Sequence, residues 1–159
     1  MSKTLFLMRH GKAEQTPGLD DFDRGLIDSG MRDARKQAQL IFAKELPDRF
    51  IVSSSLRTTQ TALHIQEELK FSKDRIDFEE SMYLCSIREL LEQVNRMDDL
   101  WHCACLIGHN PSITYLAEYL TNENIGNVKT SGVVRMNFDG RWAEMSKGTA
   151  YFDYYRSPK

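Results

Sequence analysis

Two patterns of apolar residues alternate along the chain, one typical of buried strands and the other of amphipathic helices. Leu5 to Met8, Phe50 to Val52 and Cys103 to Ile107 are unbroken apolar runs, which are typical of strands that are buried on both faces. Between these runs, apolar residues recur at intervals of three and four, the period of a helix with one buried face. The alternation predicts an α/β fold.

The intervals predict helices in four segments, and a short strand is expected near Ile76 to Phe78. The first helix should have Asp28 or Ser29 as its N-cap and should end near Leu46, because Pro47 disfavours helix in the residue before it. Pro111 is placed at the start of the fourth helix. The apolar positions of the four helices are Ile27, Met31, Ala34, Ala38 and Ile41; Leu56, Ala62, Leu63 and Leu69; Ile87, Leu90, Leu91, Val94 and Met97; and Ile113, Leu116, Ala117 and Leu120.

The last thirty residues have a different character. The segments VVRMNF and RWAEM flank Asp139-Gly140, a dipeptide that favours hairpin turns, and AYFDYY is typical of one more strand. We therefore predict a mainly parallel central sheet with helices on both faces and an antiparallel edge hairpin.

Length and composition limit the possible classes of protein. The chain has 159 residues, which suits one domain over residues 1–159, and 41% hydrophobic with 28% charged residues is typical of a globular protein. A formal net charge of −2 predicts no binding to nucleic acid or to an anionic membrane. No apolar stretch approaches the roughly 18 residues of a membrane span. We expect a cytoplasmic protein, and we expect it to be a monomer.

The cysteines support the same location. Cys85, Cys103 and Cys105 are an odd number without the spacing of a disulfide framework, which favours a reducing compartment. Zinc binding would need a second pair of ligands at finger-like spacing, so buried free thiols are the preferred interpretation.

Cationic and ionisable side chains follow three of the predicted strands. The first strand ends at Arg9-His10-Gly11, the second leads through three serines to Arg57, and the strand from Cys103 ends at Gly108-His109. Because the carboxyl ends of parallel strands meet at the ligand-binding edge of a sheet, these side chains should converge if the strands are neighbours.

Two arginines and two histidines form a site for a doubly charged tetrahedral anion. A guanidinium matches phosphate oxygens and keeps its charge at physiological pH. A neutral imidazole is a nucleophile that can carry a phosphoryl group without a metal or a cofactor. The metal alternative, with His10 and His109 as ligands, lacks a third ligand, and the adjacent arginines would repel a cation.

Three motifs in this order resemble the histidine phosphatase, or phosphoglycerate mutase-like, superfamily. They are LMRHG, SSSLRTTQTA and LIGHNPSI, and the resemblance extends to about Leu120. The small size and DFDRGLIDSG are similar to its short branch, the SixA-type phosphohistidine phosphatases. The resemblance implies that His10 is the catalytic nucleophile, that Arg9, Arg57 and His109 bind the phosphoryl oxygens, and that water hydrolyses phospho-His10.

The resemblance also points to two further candidate site residues, Arg24 and Glu80. Arg24 lies where that branch has an arginine close to the phosphate, although Gly25-Leu26-Ile27 replaces its usual Pro-Leu-Thr. Glu80 falls where larger relatives place a general acid, but it also fits an ordinary solvated glutamate. The neighbouring aspartates at positions 20, 21 and 23 are interpreted as a solvated loop rather than a cation site.

The segment from Leu69 to Cys103 is too short for the lid domain of relatives that act on sugar phosphates. An open site suits a phosphoryl group on a protein, so the predicted partner is a phosphohistidine-bearing phosphotransfer domain or phosphocarrier. Imidazole leaves without a strong general acid, since the pKa of its conjugate acid is about 6.5. The alternatives are a phosphatase of small phosphate esters and a non-catalytic phosphohistidine-binding module.

Overall fold

The computed structural model describes residues 2–158 and contains a six-stranded sheet. The strands are β1 (Ser2–Arg9), β2 (Arg49–Ser53), β3 (Ile76–Glu79), β4 (Cys103–Gly108), β5 (Val133–Asp139) and β6 (Tyr151–Arg156). Their order is β3-β2-β4-β1-β5-β6. The first four strands in this order are parallel, and β5 pairs antiparallel with both β1 and β6. The predicted fold class, a mainly parallel sheet with an antiparallel edge, is confirmed.

The apolar run at the start of the chain forms the middle of the sheet. Leu5 and Leu7 face one apolar cluster, while Phe6 and Met8 face the other, and all four are almost fully buried. β4 is buried along its whole length in the same way. The continuous apolar pattern therefore reflects strands that have helices on both sides.

Two helices cover each face of the sheet. One pair, α1 (Asp28–Gln37) and α2 (Leu56–Leu69), supplies Ala34, Ala62 and Ile65 to the cluster around Phe6. The other pair, α3 (Ile87–Asn95) and α4 (Ser112–Thr121), packs Leu90, Val94 and Leu116 against Leu5 and Leu7. Within residues 2–158, no helix has the length and apolar character needed to cross a bilayer.

The edge of the sheet and the first helix differ in detail from the predictions. RWAEM is not a strand, because Trp142–Glu144 form a 3-10 turn that buries the Trp142 ring and lets its Nε1 donate to the Trp101 carbonyl at 3.0 Å. The antiparallel edge is formed instead by β5 and β6. The N-cap of α1 is Ile27, and the helix ends in a π turn at Ala38–Phe42, short of Leu46.

Candidate active site

The three predicted strand exits lie at one edge of the sheet. β4 is paired in parallel register with β1 on one side and with β2 on the other, so that Arg9 pairs with Gly108 and Val52 with Ile107. The residues that follow these strands are therefore neighbours in space. The convergence expected from the sequence depends on this strand order.

Arg57 contacts both histidines. It lies in the first turn of α2, and its Nε donates to His10 Nε2 at 3.3 Å while its Nη2 lies 3.3 Å from His109 Nδ1. The two imidazole rings have centroids 5.4 Å apart. Arg9 lines one cavity together with His10, and its buried Nε has no hydrogen-bond partner among residues 2–158. The structure thus brings all four predicted site residues together.

The tautomer of His10 follows from its hydrogen bond to the next residue. His10 Nδ1 lies 2.7 Å from the Gly11 carbonyl oxygen, which can only accept, so Nδ1 carries the proton. The pKa of His10 is lowered to about 3, mainly by burial of the ring and in addition by the nearby His109, Arg57 and Arg9, while the Gly11 hydrogen bond acts in the opposite direction. At neutral pH the ring is uncharged, and Nε2 has a free electron pair.

His109 is neutral for the same reasons. Burial and then the charge of Arg57 lower its pKa to about 4. Because a guanidinium only donates, His109 Nδ1 accepts from Arg57, and Nε2 donates to Ser53 Oγ at 2.8 Å. Ser53 is the last residue of β2, so its hydroxyl fixes the ring orientation from a neighbouring strand.

Comparisons with known proteins show which sequences and folds this chain is similar to. Residues 5–82 match the histidine phosphatase superfamily (branch 1). An uncharacterized protein of Mycobacterium tuberculosis is 27% identical over 166 residues, covering 96% of this chain and 100% of that protein. The fold is similar to that of SixA from Nakamurella multipartitia, with 22% identity, a TM-score of 0.84 and coverage of 99% of this chain and 97% of that chain. The structure of the protein histidine phosphatase SixA complexed with tungstate is similar at 22% identity and a TM-score of 0.83, with coverage of 98% and 97%.

Over residues 5–82 the chain is therefore similar to the histidine phosphatase superfamily (branch 1). The matched range contains Arg9, His10 and Arg57, and the structure adds His109, which directly follows β4, to the same cluster. No lid domain stands over the site within residues 2–158, because only β3, α3 and short 3-10 turns lie between α2 and β4.

A carboxylate that the sequence did not single out holds Arg57 in place. Arg57 Nη1 donates to the Asp21 carbonyl at 2.6 Å, and its Nη2 donates to Asp21 Oδ2 at 3.0 Å. The Tyr83 hydroxyl donates to the same Oδ2 at 2.6 Å, and Arg24 Nε lies 3.3 Å from Oδ1. The Tyr83 hydrogen bond and the two arginines lower the pKa of Asp21. Asp21 is therefore an anionic support for the arginine rather than part of a free solvated loop.

A second missed residue, Thr61, ties the loop after His10 to α2. The Gly11 amide donates to Thr61 Oγ1 at 2.9 Å, and that hydroxyl donates to the Arg57 carbonyl at 2.8 Å. A side chain at Gly11 would be crowded, because a Cβ there would lie 3.0 Å from the Gly30 carbonyl oxygen. The backbone after His10 is thus fixed relative to the helix that carries Arg57.

Asn110 plays the corresponding part at the exit of β4. Its Nδ2 donates to the Val128 carbonyl at 2.8 Å, and its Oδ1 accepts from Thr114 Oγ1 at 2.8 Å. Arg9 Nη1 donates to the same Val128 carbonyl at 3.3 Å. The loop before β5 is therefore bound to two of the three strand exits.

Glu80 does not join this cluster. Its side chain is exposed, and among residues 2–158 it forms neither a hydrogen bond nor an ion pair with Arg9, His10, Arg57 or His109. Tyr83, which follows it in the same segment, reaches the site instead, with its ring 5.5 Å from that of His109.

Two cavities open beside the cluster. One, of about 320 Å³, borders His109 and is lined mainly by apolar residues such as Leu84, Ile87 and Tyr115. The other, of about 520 Å³, borders Arg9 and His10 and is lined mainly by polar residues. Within residues 2–158, no group of three or more His, Cys, Asp or Glu side chains could hold a metal ion.

Proposed function

We propose that this protein is a metal-independent phosphohistidine phosphatase, that it acts on partner proteins through a phospho-His10 intermediate, and that residues 1–159 form one catalytic domain. The observation that carries the proposal is the state of His10, whose Nδ1 proton is engaged by Gly11 while Nε2 points at Arg57 with a free electron pair. Such an imidazole is a nucleophile that needs no general base.

The first step transfers the phosphoryl group to His10. A phosphoryl dianion that binds between Arg57 and His10 takes the place of their direct hydrogen bond, and its phosphorus then faces His10 Nε2. The Nε2–P bond forms, and the P–N bond to the substrate imidazole breaks. The leaving imidazole takes the electron pair of the broken bond and is neutral, because its other nitrogen already carries a proton. The His10 ring becomes cationic, and its Nδ1–H bond to Gly11 is retained.

The second step restores the enzyme. Water attacks phosphorus, the P–Nε2 bond breaks, and its electron pair returns to His10. The water oxygen stays on phosphorus, so inorganic phosphate carries both water protons and His10 is again neutral with its proton on Nδ1. Fixed guanidinium groups of Arg9 and Arg57 stabilise the charge that develops on the equatorial oxygens in both steps.

The openness of the site and the chemistry of the leaving group support a protein substrate. Imidazole with a conjugate-acid pKa of about 6.5 departs readily, whereas an alkoxide would need a proton donor, and Glu80 is not in contact with the cluster. One similar structure is a protein histidine phosphatase with bound tungstate, a tetrahedral oxyanion of the kind that this quartet suits. These observations favour a phosphohistidine-bearing phosphotransfer domain or phosphocarrier.

The test compares three substrates with one nucleophile variant. Wild type and His10→Ala are incubated with a phosphohistidine protein, a sugar phosphate and an aryl phosphate, and released phosphate is measured. We expect the phosphohistidine protein to be preferred and His10→Ala to be inactive, with acid-labile phosphate trapped on wild-type His10 during turnover. Preference for the sugar phosphate would favour the small-ester alternative, and tight binding without turnover would favour a binding module.

A further inference from the structure

The cavity next to Arg9 and His10 extends well beyond the space that a phosphoryl group needs. Its volume is about 520 Å³, and it runs from the nucleophile along the loop after β1, past the start of α1, to Ser157 near the end of the chain. One wall is thus the reaction centre, while the others are formed by residues to which the proposed chemistry assigns no role.

Cationic side chains dominate this lining. Lys12, Arg24 and Lys129 join Arg9 around the cavity, against a single acidic side chain, Asp33. Arg24 is paired with Asp21, but neither lysine forms an ion pair within residues 2–158. Two exposed and unneutralised ammonium groups therefore remain beside the nucleophile.

The backbone fixes both lysines at the rim. The Lys12 carbonyl accepts from the Ile27 amide at 3.0 Å, and a Cβ on Gly30 would run into that carbonyl, so only glycine lets α1 pack so close. The Lys129 amide donates to the Tyr155 hydroxyl at 2.9 Å, and its carbonyl accepts from the Gly132 amide at 2.8 Å. Only the flexible ends of these side chains are free to adapt to a ligand.

The start of α1 adds backbone N–H donors to the cavity wall, although the Asp28 carboxylate in the same turn opposes the positive end of the helix dipole. Ser29, in its first turn, lines the cavity, and the helix has no side-chain N-cap. Free backbone donors at a helix N-terminus favour an anion. The phosphoryl dianion is already surrounded by Arg9, Arg57 and the two histidines, so this additional charge is suited to a second negative group.

We infer that the basic cleft formed by Lys12, Lys129 and the start of α1 binds a carboxylate side chain next to the phosphohistidine of the partner polypeptide. This inference rests on the proposed function and concerns which phosphohistidine sequences are preferred. Exposed ion pairs contribute little individually, up to about fivefold each, so two lysines together give a preference of about tenfold for acidic flanking residues.

The test uses two matched phosphohistidine peptides, one with glutamates on both sides of the phosphohistidine and one with glutamines in their place. The readout is the ratio of kcat/KM for the acidic peptide to that for the neutral peptide. We expect about ten for the wild type at low salt, falling towards one at high salt because the contacts are exposed to solvent. In Lys12→Gln/Lys129→Gln the ratio should be about one to two at low salt.

Two further variants separate charge from structure. Lys73→Gln removes an exposed lysine at the opposite end of the sheet, and the ratio should stay at the wild-type value. Lys12→Glu/Lys129→Glu should reverse the preference, so that a phosphohistidine peptide with lysine flanks is dephosphorylated faster than the acidic one. A reversal of this kind cannot result from loss of folding.

The possible outcomes distinguish the two proposals. Equal kcat/KM for both peptides with the wild type overturns the cleft inference and leaves the phosphohistidine activity standing. Failure of the wild type on both peptides, with turnover of an aryl phosphate, overturns the proposed function itself. An unchanged ratio in the glutamine double variant also refutes the role of the two lysines.

Discussion

The two buried imidazoles make the stability of this protein depend on pH in a defined direction. Burial lowers the pKa of His10 to about 3 and that of His109 to about 4, from an ordinary value of 6.5. As the pH falls below that value, the unfolded chain binds protons that the folded protein does not, so folding becomes less favourable. The loss begins near pH 6.5 and ends only when the pH reaches the folded-state values.

The size of the loss follows from the interval between pH 7 and pH 5. Both rings remain neutral in the folded protein at about pH 5, so the loss depends only on protonation of the unfolded chain over about 1.5 pH units. One such unit corresponds to about 1.4 kcal/mol per group. We therefore expect each ring to lower the free energy of unfolding by about 2 kcal/mol, or about 4 kcal/mol for both.

Urea denaturation at pH 7, 6 and 5 measures this slope. His10→Gln and His109→Gln should each remove about half of the loss, because glutamine does not titrate. Burial also lowers the pKa of His64. A variant with both His10→Gln and His109→Gln should therefore keep a smaller dependence of the unfolding free energy on pH. A free energy of unfolding that is the same at pH 7 and pH 5 would refute the reasoning.

Three further predictions concern the loop after His10, the side chain of Glu80 and the effect of a metal chelator. Thr61→Val deprives the buried Gly11 amide of its acceptor, so urea denaturation should show a loss of about 1–3 kcal/mol together with reduced kcat; Thr59→Val, in the same helix but with only a 3.5 Å contact, should lose much less. Glu80→Gln should keep phosphohistidine phosphatase activity within about twofold, and a loss of about a hundredfold or more would instead assign it the acid role. Millimolar chelator should leave phosphate release unchanged, and strong inhibition would contradict the metal-free mechanism.

The fold was predictable where burial leaves a continuous pattern in the sequence. β1 and β4 lie between two layers of helices, so every residue of their apolar runs is buried, and the runs identify them directly. RWAEM was misassigned because five residues of mixed polarity suit a strand or a turn equally well. Trp142 reaches the core through a 3-10 turn, where its indole also finds the Trp101 carbonyl. A short segment with one large apolar residue does not determine its own conformation.

The convergence of the site was predictable for a related reason. Arg9 ends β1, while Arg57 and His109 come after β2 and β4, and parallel strands in adjacent positions bring such residues to one edge without any further information. The partners that orient them were not predictable, because their contacts depend on loop paths. Asp21 meets Arg57 from 36 positions away along the chain, and Tyr83 meets Asp21 from 62 positions away.

The contact between Asp21 and Arg57 also explains how the arginine remains in place before a substrate arrives. A guanidinium that is almost fully buried beside two neutral imidazoles needs an anionic partner, since burial of an unpaired charge is costly. Asp21 supplies this partner from the solvent side, where its half-exposed carboxylate leaves Arg57 Nε directed at His10. In the proposed reaction, the donor that a phosphoryl oxygen would meet is therefore already oriented towards His10, and such preorganisation is the main contribution that fixed charges make to phosphoryl transfer.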